Sequence, residues 1–151
     1  MKTINVSAWW KEITQKAINR GKDHKGDLAV GEESEEFGLI GVCGEYAVAF
    51  DREIPFSQIR DDIPRGDEGW DLVTPAGKKL EIKTAGKDFH KYAMSRKNYT
   101  AADYVVGCKL NQPERLVTIM GWVPKDVWEQ GLEPGPKGGN QFAFTKMQDY
   151  T

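Results

Sequence analysis

Asp71, Glu81 and Lys83 are the residues of this sequence whose types and spacing could do chemistry together. Two carboxylates and an ammonium on one patch are the minimum kit for metal-assisted hydrolysis of a phosphodiester. Between them, Pro75-Ala76-Gly77 fits a three-residue hairpin loop, with Pro suited to the first turn position and Gly to the left-handed residue at its end. Trp70 to Thr74 and Lys78 to Thr84 alternate polar and apolar residues, as strands with one buried face do. This register sets Asp71 directly opposite Glu81. It assigns Trp70, Leu72, Leu80 and Ile82 to the buried face, and Asp71, Glu81 and Lys83 to the other.

Directly opposed side chains on an antiparallel pair lie about 5 Å apart at Cβ, so two carboxylates placed this way repel each other. A divalent cation between them turns the repulsion into coordination. Hard oxygen ligands with open positions suit Mg²⁺ or Mn²⁺. Lys83 stands about 6.6 Å further along the same face and can hold the attacking water or neutralise charge as the phosphorane forms. The plainer reading is an exposed hairpin with solvated Asp, Glu and Lys. Turn chemistry, register and face agree on the first reading.

The elements around the hairpin must position it. Ser7 can cap a first helix carrying Trp9, Trp10, Ile13, Ala17 and Ile18, with Arg20 in its last turn and Gly21 past its end. Residues 21 to 31 read as a polar loop. A second helix is expected from Ser34 to about Phe50, with Glu35 and Glu36 well placed for its dipole. Gly38, Gly41 and Gly44 each cost about 1 kcal/mol in a helix relative to Ala, which points to a close backbone approach. Glu45 follows on the same flank as Gly41. If that flank faces the hairpin, Glu45 is a third carboxylate; if not, it is one more exposed helix residue.

Further on, a strand is expected near Ile54 to Ile59, then a loop from Arg60 to Gly69 whose Asp67 and Glu68 compete with Asp71 for the metal. A helix is expected somewhere between Lys87 and Ala102, or from Ser95. Strands follow at Tyr104 to Leu110 and Leu116 to Val123, then a short helix at Pro124 to Glu129, a loop from Gly131 to Asn140 and an edge strand at Gln141 to Thr145.

The 151 residues are about one domain's worth, and 39% hydrophobic with 29% charged residues is ordinary for a soluble globular protein. No apolar run is long enough for a membrane span and no secretory segment opens the chain, so a cytoplasmic location is expected. Cys43 and Cys108 form no framework or zinc pattern and read as buried thiols. His24 and His90 have no partner at metal-binding spacing, although His90 could touch a phosphate. Net charge is −2, against bulk electrostatic coating of nucleic acid. Yet Lys78 to Lys97 holds seven basic residues against two acidic ones, around the proposed site. Lys78, Lys79, Lys87, Lys91, Arg96 and Lys97 are candidates for contacts to a DNA backbone, and a solvated charged face is the alternative.

Helix residues Gly41-x-x-Gly44-Glu45, then Gly69-Trp70-Asp71, then Glu81-Ile82-Lys83-Thr84 resemble the order of elements in the PD-(D/E)XK nuclease superfamily, over roughly Ser34 to Trp128. The resemblance implies an α/β domain with a restriction-endonuclease-like mixed sheet flanked by helices, whose core is a helix, a three-stranded antiparallel meander, a helix and a further strand. It implies that Asp71, Glu81 and the Ile82 carbonyl bind the metal, that Lys83 orients or activates water, and that Glu45 assists from the helix. Residues 1–30 are then a helical extension with a polar loop, and 31–151 the nuclease-like domain. The expected function is Mg²⁺- or Mn²⁺-dependent DNA endonuclease. Holliday junction resolvases and phage endonucleases are the most similar members, although this chain is acidic where junction-binding dimers tend to be basic. A two-fold substrate would favour a homodimer. The competing class is a catalytically silent module on the same fold that binds nucleic acid or protein.

Overall fold

Val105, Val106 and Cys108 are almost wholly shielded from solvent although successive residues of a strand face opposite ways, so both faces of Tyr104–Asn111 (β5) are covered. The computed structural model describes residues 1–23, 31–60, 70–86, 91–94, 101–134, 140–143 and 146–149. In it β5 lies between Lys79–Gly86 (β3), to which it is parallel, and Leu116–Pro124 (β6), to which it is antiparallel. Lys2–Asn5 (β1) and Leu72–Val73 (β2) extend the sheet to the order β1-β6-β5-β3-β2, and Gln148–Asp149 (β9) pairs with the far end of β6.

Trp10–Asp23 (α1) and Gly31–Asp51 (α2) supply the layer on one face. Its core joins Val42, Tyr46 and Val48 of α2 to Ile82, Val106, Cys108 and Ile119 of the sheet. Lys125–Gly131 (α3) and a small sheet cover the other face. That sheet runs β4 (Lys91–Met94), β8 (Asn140–Ala143), β7 (Glu133–Pro134). Val105, Val123, Trp128 and Phe142 make the second core, with Trp128 stacked on Phe142 at 4.6 Å between ring centroids. The α/β class with a mixed sheet flanked by helices is therefore present, as one chain folded around one central sheet.

Several expectations need correcting. Residues 54–59 are not a strand: Pro55 leads into a single 3-10 turn at Phe56–Gln58, since Pro fixes φ and offers no ladder N–H. That turn has a purpose in the sheet. Gln58 accepts the Val73 N–H at 2.8 Å and donates to its carbonyl at 3.2 Å, closing the edge of β2. Where a helix was expected after Lys87, residues 91–94 form β4, paired with β8; residues 87–90 and 95–100 lie outside the described residues. β8 sits between two strands rather than at an edge. Ser7 opens a 3-10 turn without a side-chain cap bond, and α1 runs through Gly21 to Asp23. Among the described residues β3 pairs antiparallel with β2 on one side and parallel with β5 on the other. From the segment expected as an extension, Ile4, Val6 and Ile13 enter the same core as the sheet.

Candidate active site

The hairpin between β2 and β3 forms by the expected local rules. Thr74 N–H donates to the Lys78 carbonyl and Gly77 N–H to the Thr74 carbonyl, both at 2.8 Å, with Gly77 at φ 85°. Only glycine takes that backbone region without strain. Leu72 pairs with Leu80 and Val73 with Lys79; one step further, the same register sets Asp71 against Glu81. There the ladder changes character. Asp71 N–H reaches the Leu80 carbonyl at 2.8 Å, and its own carboxylate Oδ2 accepts the Ile82 N–H at 2.7 Å. A side chain thus takes the place of a strand carbonyl, and β2 ends.

Period-two alternation divides β3. Leu80, Ile82 and Thr84 face α2, and Glu81 and Lys83 face the α3 layer. Contrary to the expectation of one wet face, both are covered: the Glu81 and Lys83 side chains are only 16% and 26% exposed. Lys83 Nζ lies 3.3 Å from Glu81 Oε1. Glu81 Oε2 is buried with no hydrogen-bond partner.

Glu45 arrives from the other side. Gly44 lets α2 settle onto β3, for a β-carbon there would overlap the Thr84 hydroxyl and lie 3.3 Å from Ile82 Cγ2. Gly38 makes a similar approach to Ala17 of α1, while a β-carbon at Gly41 would meet nothing within 4 Å, so only two of the three glycines are explained this way. Glu45 is 5% exposed and is not the solvated helix residue of the alternative reading. Arg20 grips it in two bonds, Nη1 to Oε2 at 2.6 Å and Nη2 to Oε1 at 3.1 Å. The guanidinium is fixed in turn by the Arg60 carbonyl, 2.9 Å from Nε.

Asp71, at the sheet edge, feels all of these groups. Burial raises its pKa well above the ordinary carboxylate value, the charge of Glu45 raises it further, and Glu81 adds to this; the Ile82 N–H and the Lys83 ammonium pull the other way. Asp71 is thus the group on which the charges of Glu45, Glu81 and Lys83 act together. Arg20 was not anticipated, because α1 and α2 are separate helices and no local spacing links its position to Glu45. Its only signal was charge in a last turn.

Among the described residues no group of three or more His, Cys, Asp or Glu forms a ready-made cage for a cation. Asp71 and Glu81 are the candidate pair for one. A divalent ion would give the orphaned Glu81 oxygen a partner and would relieve the crowding of negative charge on Asp71. All-carboxylate donors suit Mg²⁺ or Mn²⁺. Ile82, whose carbonyl was the third expected ligand, is buried in β3 beside Val106.

Of the expected DNA contacts, Lys78 is exposed at the hairpin. Lys79 is engaged, with its ammonium 4.1 Å from the centroid of the Trp70 ring and its N–H bonded to Asp103 Oδ2 at 2.8 Å. Lys91 begins β4. Lys87, Arg96 and Lys97, like Asp67, Glu68, His24 and His90, lie outside the described residues. Among the described residues no helix is long and apolar enough to cross a membrane. No protein-family model matches the sequence, and no curated protein matches it either.

Proposed function

We propose that this chain is a Mg²⁺- or Mn²⁺-dependent DNA endonuclease of the restriction-endonuclease-like type. The observation that carries the reading is a buried carboxylate oxygen without a partner, Glu81 Oε2, on the residue that the strand register sets against Asp71 and whose other oxygen lies 3.3 Å from Lys83 Nζ. A bound cation gives that oxygen a partner and offsets the negative charge around Asp71.

Asp71 and Glu81 hold the cation, which when bound supplies charge neutralisation at the phosphate and a more acidic water. Lys83 is held beside Glu81, where its ammonium orients the attacking water and meets the charge that develops on the phosphoryl oxygens. Burial first, and then the charge of Glu45, which Arg20 fixes, keep Asp71 from behaving as an ordinary solvated carboxylate. Lys78 contacts the DNA backbone, which positions a duplex without reading its sequence.

The test is nicking of supercoiled plasmid in Mg²⁺ or Mn²⁺ by the wild type beside Lys83→Ala, with linear duplex, single-stranded, flap and four-way junction DNA in parallel. Cleavage by the wild type and its loss in the variant support the reading; preference for the junction would add structure specificity. Equal activity in the two proteins, or none from the wild type on any substrate, rejects it in favour of a silent binding module.

A further inference from the structure

The two carboxylates whose charges act on Asp71 are held in different ways. Glu81 keeps one buried oxygen without a partner, and its other oxygen lies 3.3 Å from Lys83 Nζ. Glu45 has both oxygens engaged by one guanidinium, with Arg20 Nη1 at 2.6 Å from Oε2 and Nη2 at 3.1 Å from Oε1. Both side chains of that pair are buried, and two parallel N–H donors on one carboxylate are the firmest hold that Arg offers. The guanidinium is itself anchored. Its Nε donates to the Arg60 carbonyl at 2.9 Å, and Lys16, one turn earlier on α1, donates to the Ile59 carbonyl at 3.0 Å. Helix α1 therefore fixes the arginine and the backbone at residues 59 and 60 together.

A divalent ion such as Mg²⁺ ligated by a carboxylate sits about 2.1 Å from the oxygen. On Glu45 Oε2 it would stand within about 5 Å of Arg20 Nη1, so that two like charges would meet in a desolvated space where screening is weak. Arg20 cannot relieve this by releasing a proton, because a guanidinium stays charged in proteins. We propose that Arg20 takes the place of a second cation, so that the centre binds a single divalent ion through Asp71 and Glu81, and Glu45 is not among its ligands. The inference rests on the reading of Asp71 and Glu81 as the metal pair. Glu45 still acts on Asp71 through its charge. Arg20 and Glu45 are then positioning residues, which shape the first site from outside it and close off a second.

The test counts Mn²⁺ bound per full-length chain, by electron paramagnetic resonance of the free ion, with folding checked by circular dichroism. The wild type is compared with Glu81→Gln, Arg20→Lys, Arg20→Gln and the double variant Arg20→Met with Glu45→Leu. One ion is expected in the wild type, in Arg20→Lys, which keeps the charge, and in the double variant, which removes the pair as a unit. None is expected in Glu81→Gln. Arg20→Gln leaves Glu45 without a guanidinium and should take up a second ion, bound at least tenfold more weakly than the first. If Arg20→Gln does not fold, the double variant decides: an ion retained supports the proposal, and an ion lost makes Glu45 a ligand and overturns it. Two ions in the wild type or in Arg20→Lys, or a folded Arg20→Gln with only one, overturn the proposal and leave Asp71 and Glu81 as the metal pair. No ion in the wild type, or one that Glu81→Gln retains, overturns that pair and the proposal with it.

Discussion

Gly44 of α2 stands so close to Thr84 of β3 that a β-carbon on it would overlap the Thr84 hydroxyl oxygen and come within 3.1 Å of Thr84 Cβ. This contact sets the height of the helix above the sheet, and with it the place of Glu45, the next residue. Rotating the hydroxyl away would not suffice, since the Thr84 β-carbon and Ile82 Cγ2 at 3.3 Å remain tight. Ala is worth about 1 kcal/mol over Gly in a helix interior, but overpacking a close interface costs about 1–3 kcal/mol. Gly44→Ala is expected to destabilise the fold by about 1 kcal/mol or more in urea denaturation, and Thr84→Ala to recover part of the loss. A stabilised Gly44→Ala would contradict the contact.

Arg20 and Glu45 form a buried two-bond ion pair, 7% exposed at each side chain. Removing one partner strands a buried charge, at about 3–5 kcal/mol. Arg20→Ala should therefore lower stability by about 3 kcal/mol or more, whereas Arg20→Met with Glu45→Leu should lie much closer to wild type. Chemical denaturation gives both values, and adding the single variants Arg20→Met and Glu45→Leu closes a double-mutant cycle. Additive losses would mean that the pair is not coupled.

The Asp71 carboxyl is raised above its ordinary value, chiefly by burial and then by Glu45. A raised folded-state pKa favours the protonated group in the folded protein, so its contribution to stability is full below the unfolded value of 3.8 and is lost as pH rises through the folded pKa. Asp71→Asn keeps an acceptor for the Ile82 N–H and should raise the melting temperature at pH 8 while leaving it unchanged near pH 3. If the variant is no more stable than wild type at pH 8, the carboxylate is not strained.

Mn²⁺ should raise the melting temperature of the wild type at pH 8, by mass action on the folded state. Glu81→Gln should abolish that increment. Glu81 Oε2 has no partner in the fold, and Gln at this position keeps an acceptor for Lys83, which lies 3.3 Å from Oε1. A metal increment that survives in Glu81→Gln would place the ion elsewhere.

Cys43 and Cys108 are buried and form no disulfide. Burial alone pushes Cys43 up to about 12 and Cys108 higher still, so neither supplies thiolate at neutral pH. Ellman titration should find no reactive thiol in the folded protein and both in urea. Rapid labelling of the native chain would refute this.

The hairpin, its turn and the opposition of Asp71 to Glu81 were legible in the sequence, because φ preferences of Pro and Gly and the two-residue period of strands act over a few neighbours. The same local rules located α2, β5, β6 and α3 and marked Gly44 as a point of close approach. They failed at residues 54–59, where Pro55 and a side-chain bond from Gln58 replaced strand pairing, and at residues 91–94, where pairing with β8 overrode a weak helical pattern. What only the tertiary structure decided is non-local: β3 runs parallel to β5 through a long crossover, a second layer covers the face that carries Glu81 and Lys83, and Arg20 reaches Glu45 across two helices. Sequence spacing carries no record of such encounters, because they arise when separate elements bury their faces against one another and bring distant charges into the same desolvated space.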